Sequence, residues 1–248
     1  MTGQTAPCML LMGGSFNPPH IGHLRVAIEG SEALRPEKTL FIPVASPPHK
    51  PDDHMLPFEM RVDMLRRSID LLPAEWKFGV CEIENDRRGP SFTIDTLEIL
   101  HSRHPETRLV FIMGAEDYAW LSTWRRWREI PLHADLAVIP RKEHGEESFH
   151  HSTLALWPDA RRLPIQDAAG SAHTAHGKQA EQFCHYARPA YSLPGGGHCL
   201  YLPIALLEIS SSMIREHFLT ERSLDFLVPS AVQEILFRDR RNIHNLWS

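Results

Sequence analysis

No apolar stretch in this chain is long enough to cross a bilayer, and its opening residues lack the basic segment and hydrophobic core of a secretory signal. A cytoplasmic protein is expected. The four cysteines, Cys8, Cys81, Cys184 and Cys199, show no Cys-x-x-Cys spacing. That argues against a zinc ribbon or a disulfide framework and for small apolar residues in a reducing compartment. An excess of positive charge is also missing. Lys and Arg number 26 against 31 Asp and Glu, a formal net charge of -5, which argues against a nucleic-acid partner while leaving local cations free to hold a small anion. No Asp/Glu cluster has the spacing of a dedicated metal cage. What remains is an ordinary globular composition over 248 residues, read as a single domain, 1–248, with a sizeable core. Nothing in it fixes an oligomeric state.

Continuous apolar runs stand at Met9–Met12, Leu40–Val44, Leu109–Met113 and Leu136–Ile139. Runs without alternation suit strands buried on both faces, as in a parallel sheet covered by helices. Between them, Ile21, Leu24 and Ile28, then Phe58, Val62, Leu65 and Ile69, and more briefly Ile94, Leu97 and Leu100, recur at helical spacing. Strand alternating with helix predicts an α/β fold, a doubly wound parallel sheet with helices on both faces. Ligands of such sheets bind beyond the carboxyl ends of the strands. Gly13-Gly14, Pro47-Pro48-His49-Lys50, Gly114-Ala115-Glu116-Asp117 and Arg141 follow the four runs in turn and should line one rim.

Residues 142–198 break this rhythm. They hold seven of the sixteen histidines, without tight ligand spacing, and small-residue tracts such as Pro194-Gly195-Gly196-Gly197. A flexible insertion is expected there, of a purpose the sequence does not reveal. Cys199-Leu200-Tyr201-Leu202 reads as a further strand, and C-terminal helices follow around Ser211–Phe218 and Pro229–Phe237.

The densest information lies after the first strand, in Gly13-Gly14-Ser15-Phe16-Asn17-Pro18-Pro19-His20-Ile21-Gly22-His23. Glycines let backbone approach a ligand closely, and the free N–H groups at a helix start favour an anion. Histidines three apart share a helix face and can address one phosphate chain. A glycine turn alone is common, and two such histidines could be surface residues or zinc ligands. The whole string in one strand–turn–helix frame points to a nucleoside triphosphate.

Gly13 to Leu24 resembles the signature of the nucleotidylyltransferase superfamily, and Ile209-Ser210-Ser211-Ser212-Met213-Ile214-Arg215 resembles its Ile-Ser-Ser-Thr-x-Ile-Arg element. The resemblance implies a Rossmann-like fold and transfer of a nucleoside monophosphate from a triphosphate with release of pyrophosphate. It implies that Gly13, Gly14, Ser15, Phe16, His20, His23, Ile209, Ser210, Ser211, Ser212 and Arg215 bind ATP. His20, His23, Lys50 and Arg215 would be catalytic, by positioning and charge stabilisation rather than covalent chemistry. Any Mg²⁺ would ride on the ATP phosphates. For the serine run the plain alternative is helix capping.

Three more strings are similar to bacterial nicotinate mononucleotide adenylyltransferases: Arg88 to Leu97, Ile112 to Asp117, and Thr123 to Trp127. They imply nicotinate mononucleotide as acceptor, held by Lys50, Thr93, Asp117, Trp124 and Arg141. Trp124 would stack on the pyridinium ring, and the helix start at Thr93 would receive its carboxylate. Core packing is the plain reading for Trp127, helix capping for Asp117, and surface placement for Lys50 and Arg141. Ser15, Asn17, Phe92 and Ser212 depart from the residues common in that family; Asn17 lacks a charge, which bears on any electrostatic role there. The rival readings are the same chemistry on nicotinamide mononucleotide or phosphopantetheine, and a nucleotide-binding regulator without catalysis. A class I aminoacyl-tRNA synthetase shares the His-x-Gly-His turn, but this chain is short for that task and has no Lys-Met-Ser-Lys-Ser loop.

Overall fold

The computed structural model describes residues 7–47, 54–87, 89–141, 144–164, 189–205 and 207–248. Its elements run β1 (Cys8–Gly14), α1 (Ile21–Leu34), β2 (Lys38–Pro43), α2 (Phe58–Ile69), β3 (Phe78–Val80), α3 (Thr93–Arg103), β4 (Arg108–Gly114), α4 (Ala115–Ala119) and β5 (Asp135–Ile139). Then follow α5 (Glu146–Leu156), β6 (Arg161–Arg162), β7 (Ala190–Ser192), β8 (His198–Tyr201), α6 (Ser211–Leu219), α7 (Ser230–Arg238) and α8 (Arg240–Trp247). The strand order is β3-β2-β1-β4-β5-β8-β7-β6. An order that grows outward in both directions from β1 is the doubly wound arrangement.

The apolar runs are strands for the reason that made them legible. Met9–Met12 in β1, Leu109–Met113 in β4 and all of β5 are buried without alternation, as strands covered on both faces must be. The pairs β2–β3, β4–β5 and β5–β8 are parallel. The expected all-parallel sheet needs one correction: β7 runs antiparallel to β8, and β6 antiparallel to β7. Both antiparallel strands, β6 and β7, belong to the stretch expected as a flexible insertion, and so does α5, which buries Phe149 and Thr153 one turn apart. Residues 142–143 and 165–188 of that stretch lie outside the described residues.

By chain contacts the protein divides into two compact units. The first comprises Met1–Leu11, Glu29–Lys38 and Thr93–Ile204. It contains β4 through β8, and Arg108 N–H donates to the Pro7 carbonyl at its β1 edge. An aromatic core of Tyr118, Phe149, Tyr191 and Tyr201 fills it. The Tyr118 hydroxyl there is satisfied by Thr153 Oγ1 at 2.9 Å, as a buried phenol requires.

The second unit comprises Met12–Ile28, Thr39–Phe92 and Ala205–Ser248. In it Val44 N–H donates to the Gly14 carbonyl, and α2 shares an apolar cluster with α6, α7 and α8 through Leu56, Met64, Ile214, Phe218, Val232, Leu236, Ile243 and Trp247. The expected C-terminal helices are α6 and α7, and α8 is an addition.

Candidate active site

β1 ends in Gly13 and Gly14, and the chain then turns through Ser15, Phe16 and Asn17. Phe16 takes φ +46, a left-handed conformation that costs a non-glycine residue about 1–3 kcal/mol. Complete burial of its ring, edge-on to His23 at 4.9 Å and to Phe41 at 5.8 Å, offsets that cost. A Cβ on Gly14 would lie 3.1 Å from the same ring, so a larger residue there would press on Phe16.

His20 stands at the start of α1 and His23 in its first turn, with stacked rings 3.6 Å apart. A Cβ on Gly22 would sit 3.0 Å from His20 Nδ1, which explains the glycine between them. His20 N–H donates to His23 Nδ1 at 3.1 Å. With Nδ1 accepting, the proton of neutral His23 is on Nε2, so that edge of the ring is a hydrogen-bond donor.

The second signature is built against this turn. Arg215 Nη1 donates to the Asn17 carbonyl at 2.8 Å, across 198 residues of sequence, and Ser211 Oγ donates to the Pro18 carbonyl at 2.9 Å. The serine run divides its labour. Ser210 is the N-cap of α6, accepting from Met213 N–H at 3.2 Å, which is the plain capping role. Ser212 Oγ accepts from Arg215 Nη2 at 3.1 Å. Ile209 packs its side chain on the apolar cluster, leaving its backbone as the part near the helix start. Burial draws the Arg215 pKa down from its ordinary value, yet a guanidinium remains a cation near neutrality. His20, His23, the 13–17 turn and Arg215 therefore occupy one corner of one unit. Lys50, Pro48 and His49 lie outside the described residues.

The other expected acceptor residues, Thr93, Asp117, Trp124 and Arg141, belong to the other unit. Thr93 opens α3, whose Ile94, Thr96, Leu97 and Leu100 are buried. Trp124 is half-buried, edge-to-face with Phe111 at 6.4 Å. Trp127 is core, 9% exposed and edge-on to Trp157. Asp117 is exposed on the five-residue α4, whose N-cap is Gly114, so Asp117 is not the capping residue. Its carboxylate and the Arg141 side chain flank Gly114: a Cβ there would lie 3.7 Å from Asp117 Oδ2 and 3.9 Å from Arg141 Cβ.

Sequence reasoning missed three residues that fix these parts. Arg126 binds Glu98 with both guanidinium nitrogens, at 3.1 and 2.7 Å, and so ties the Trp124 segment to α3. Arg61 and Asn17 reach the glycine turn from within its own unit. No local pattern marks any of the three, because each role depends on a partner distant in sequence. Among the described residues no three His, Cys, Asp or Glu side chains are grouped so as to hold a metal ion, and no helix is long and apolar enough to cross a membrane.

A strand–turn–helix with paired histidines on a mostly parallel, doubly wound sheet has the form of a nucleotide-binding α/β protein. Residues 11–217, which run from the glycine turn past Arg215, match the cytidylyltransferase-like family. The chain is 34% identical over 230 residues to the "Probable nicotinate-nucleotide adenylyltransferase" of Pelobacter propionicus, spanning 93% of this chain and 95% of that one. A protein of the same name from Geobacter metallireducens is 32% identical over 236 residues, spanning 95% and 98%. In fold the chain resembles the Plasmodium falciparum nicotinic acid mononucleotide adenylyltransferase complexed with NaAD, with a TM-score of 0.68 at 16% identity over 97% and 98% of the two chains. The chain belongs to the cytidylyltransferase-like family and, within it, to the nicotinate-nucleotide adenylyltransferases.

Proposed function

We propose that this protein transfers the adenylyl group of ATP to nicotinate mononucleotide, yielding nicotinate adenine dinucleotide and pyrophosphate on the way to NAD, in the cytoplasm. The observation that supports this most is the attachment of Arg215 and Ser211 to the carbonyls of Asn17 and Pro18, directly ahead of His20 and His23. Two signatures far apart in sequence thereby build one cradle.

In the reaction a phosphate oxygen of the acceptor attacks the α-phosphorus of ATP. The bond from that phosphorus to the bridging oxygen of the β-phosphate breaks in line. The attacking oxygen is already anionic, so no general base is needed, and the work is positioning and charge stabilisation. His20 and His23 are assigned as N–H donors to the α-phosphate and the departing pyrophosphate, and Arg215 as the fixed cation beside them. Gly13, Gly14, Ser15 and Phe16 would admit the triphosphate close to the backbone, with Ser211 and Ser212 at the start of α6 as further donors. A divalent ion, Mg²⁺ in this reading, would be carried by the phosphates. It would neutralise the leaving pyrophosphate. On the acceptor side Trp124 offers a ring face to the pyridinium, Thr93 a helix start to its carboxylate, and Lys50, Asp117 and Arg141 polar contacts to ribose and phosphate.

Purified protein with Mg-ATP and a panel of acceptors, followed by pyrophosphate release, tests the assignment. Turnover should be fastest with nicotinate mononucleotide, slower with the nicotinamide form and absent with phosphopantetheine. Faster turnover with phosphopantetheine would overturn the choice of acceptor. Tight ATP binding with no pyrophosphate release from any acceptor would identify a regulator instead.

A further inference from the structure

Arg61, on α2, is 1% exposed, the bulkiest wholly buried side chain among the described residues. Burying a guanidinium is costly unless its donors find good acceptors. Here Nη1 donates to the Ser15 carbonyl at 2.7 Å and Nε to the Leu56 carbonyl at 3.0 Å. Asn17, 6% exposed, closes the ring from the other side. Its Oδ1 accepts from Leu56 N–H at 2.9 Å and its Nδ2 donates to the His54 carbonyl at 2.9 Å. Both backbone groups of Leu56 are thus held by side chains that also hold, or belong to, the phosphate turn.

The consequence concerns the turn's polarity. The Ser15 carbonyl accepts from Arg61, a side chain wholly buried beneath the turn. A carbonyl swung toward a triphosphate would set a negative dipole against it, whereas a carbonyl held inward turns the donor side of the backbone outward. We propose that Arg61 is a positioning residue for adenylyl transfer: its fork clamps the Ser15 carbonyl to that of Leu56 and keeps the dipole of that peptide directed away from ATP. Arg61 itself need not touch substrate. The inference rests on assigning the 13–17 turn to ATP.

The fork suggests the test. Arg61→Lys keeps the charge but can reach only one of the two carbonyls at a time; Arg61→Gln supplies a neutral donor of similar shape. Steady-state constants for ATP and for nicotinate mononucleotide, thermal midpoints, and amide exchange over residues 13–17 would be measured on each. Misplacement of a turn by about an ångström is worth on the order of 10²-fold. Folded Arg61→Lys should therefore lose roughly 10- to 100-fold in kcat/KM for ATP, hold the acceptor KM within about twofold, and exchange faster in the turn than elsewhere in α1 and α2. Unchanged kcat/KM for ATP in a folded variant would overturn the proposal. So would a parallel rise of both KM values, or failure of both variants to fold, either of which makes Arg61 a stability residue only. Failure of the underlying reading looks different, since wild-type protein would then release no pyrophosphate.

Discussion

In the unit that carries the glycine turn, buried or half-buried side chains fix the backbone: Arg61, Arg215 and Ser211 bond to the carbonyls of Ser15, Asn17 and Pro18, and the Asn17 side chain bonds across to Leu56. In the unit that carries Thr93 and Trp124, the fastening lies at the surface. Arg126, about a third exposed, bridges Glu98 on α3 to Glu129, and Arg125 stands 3.8 Å from Asp95. Buried hydrogen bonds to backbone are shielded from water and permit one geometry. Exposed ion pairs are screened and yield to small displacements. Triphosphate chemistry is the same for every acceptor and gains from a rigid frame, whereas recognition of a particular pyridine nucleotide can tolerate adjustment. Mutations in the first unit should therefore act on kcat, and those around Trp124 on the acceptor KM.

The largest expected effect is in the rigid unit. His20→Ala should lower kcat by ~10²–10³-fold, the usual result of deleting one transition-state donor, with little loss of stability. An unchanged turnover number would remove His20 from the mechanism and dissolve the contrast. In the other unit the strongest fastening lies away from the acceptor residues, at the starts of β4, β5 and β8. There Asp135 accepts from Arg108 Nε, and from His198 N–H at 2.6 Å and Nδ1 at 3.1 Å. Burial works to raise the Asp135 pKa, but the His198 hydrogen bond and the Arg108 charge outweigh it and hold the carboxyl below its usual range. A pKa lowered by folding contributes stability that is complete above the unfolded value, about 4, and is lost as pH falls through the folded one. Asp135→Asn should cost about 1.5–3 kcal/mol at pH 7. The gap from wild type in urea midpoint should narrow below about pH 4, and a gap that widens in acid would contradict this linkage.

Trp124→Ala comes next. Loss of stacking and cation–π attraction, about 0.5–2 kcal/mol, should raise the KM for nicotinate mononucleotide roughly 2- to 30-fold while leaving that for ATP near normal. Equal weakening of both substrates would show that Trp124 serves packing against Phe111 rather than acceptor binding.

How far the sequence carries the argument differs between the same parts. Strands β1, β4 and β5 were legible because burial on both faces leaves no polar interruption, and the turn into α1 was legible because its glycines interrupt the apolar run just before a helical spacing begins. α2 was legible as a helix but not in its rotation. The spacing of Phe58, Val62, Leu65 and Ile69 suggested the inward face, whereas the buried set is Arg61, Val62, Met64, Leu65 and Ser68. Two polar residues are hidden there because acceptors await them: the carbonyls of Ser15 and Leu56 for Arg61, and that of Met64 for Ser68. Apolar periodicity is blind to such positions. α8 escaped for the opposite reason: Arg240–Trp247 is mostly polar and buries only Ile243 and Trp247. The antiparallel strands β6 and β7, two and three residues long, are too short to carry a pattern. Asn17 shows the same limit. Its amide donates to His54 and accepts from Leu56, a division of roles that no local string displays.

The smallest effect sharpens the comparison most. Arg126 takes φ +50, a left-handed backbone that Ala would bear with the same strain, so Arg126→Ala removes the fork alone. Arg126→Gly would relieve the backbone as well. Glu98 and Glu129 are both held below their ordinary pKa by hydrogen bonds from Arg126, which shows the fork engaged, but exposure limits what it contributes. The acceptor KM should rise about 2- to 5-fold in Arg126→Ala, with kcat and the ATP KM unchanged. Raising KCl should move the wild-type acceptor KM toward the variant's and leave the variant's less affected, because screening weakens the same ion pair that the mutation deletes. If the variant instead loses kcat and matches wild type in acceptor KM at every salt concentration, the Trp124 segment is held by its apolar contacts. The two units would then fasten their functional residues by the same means.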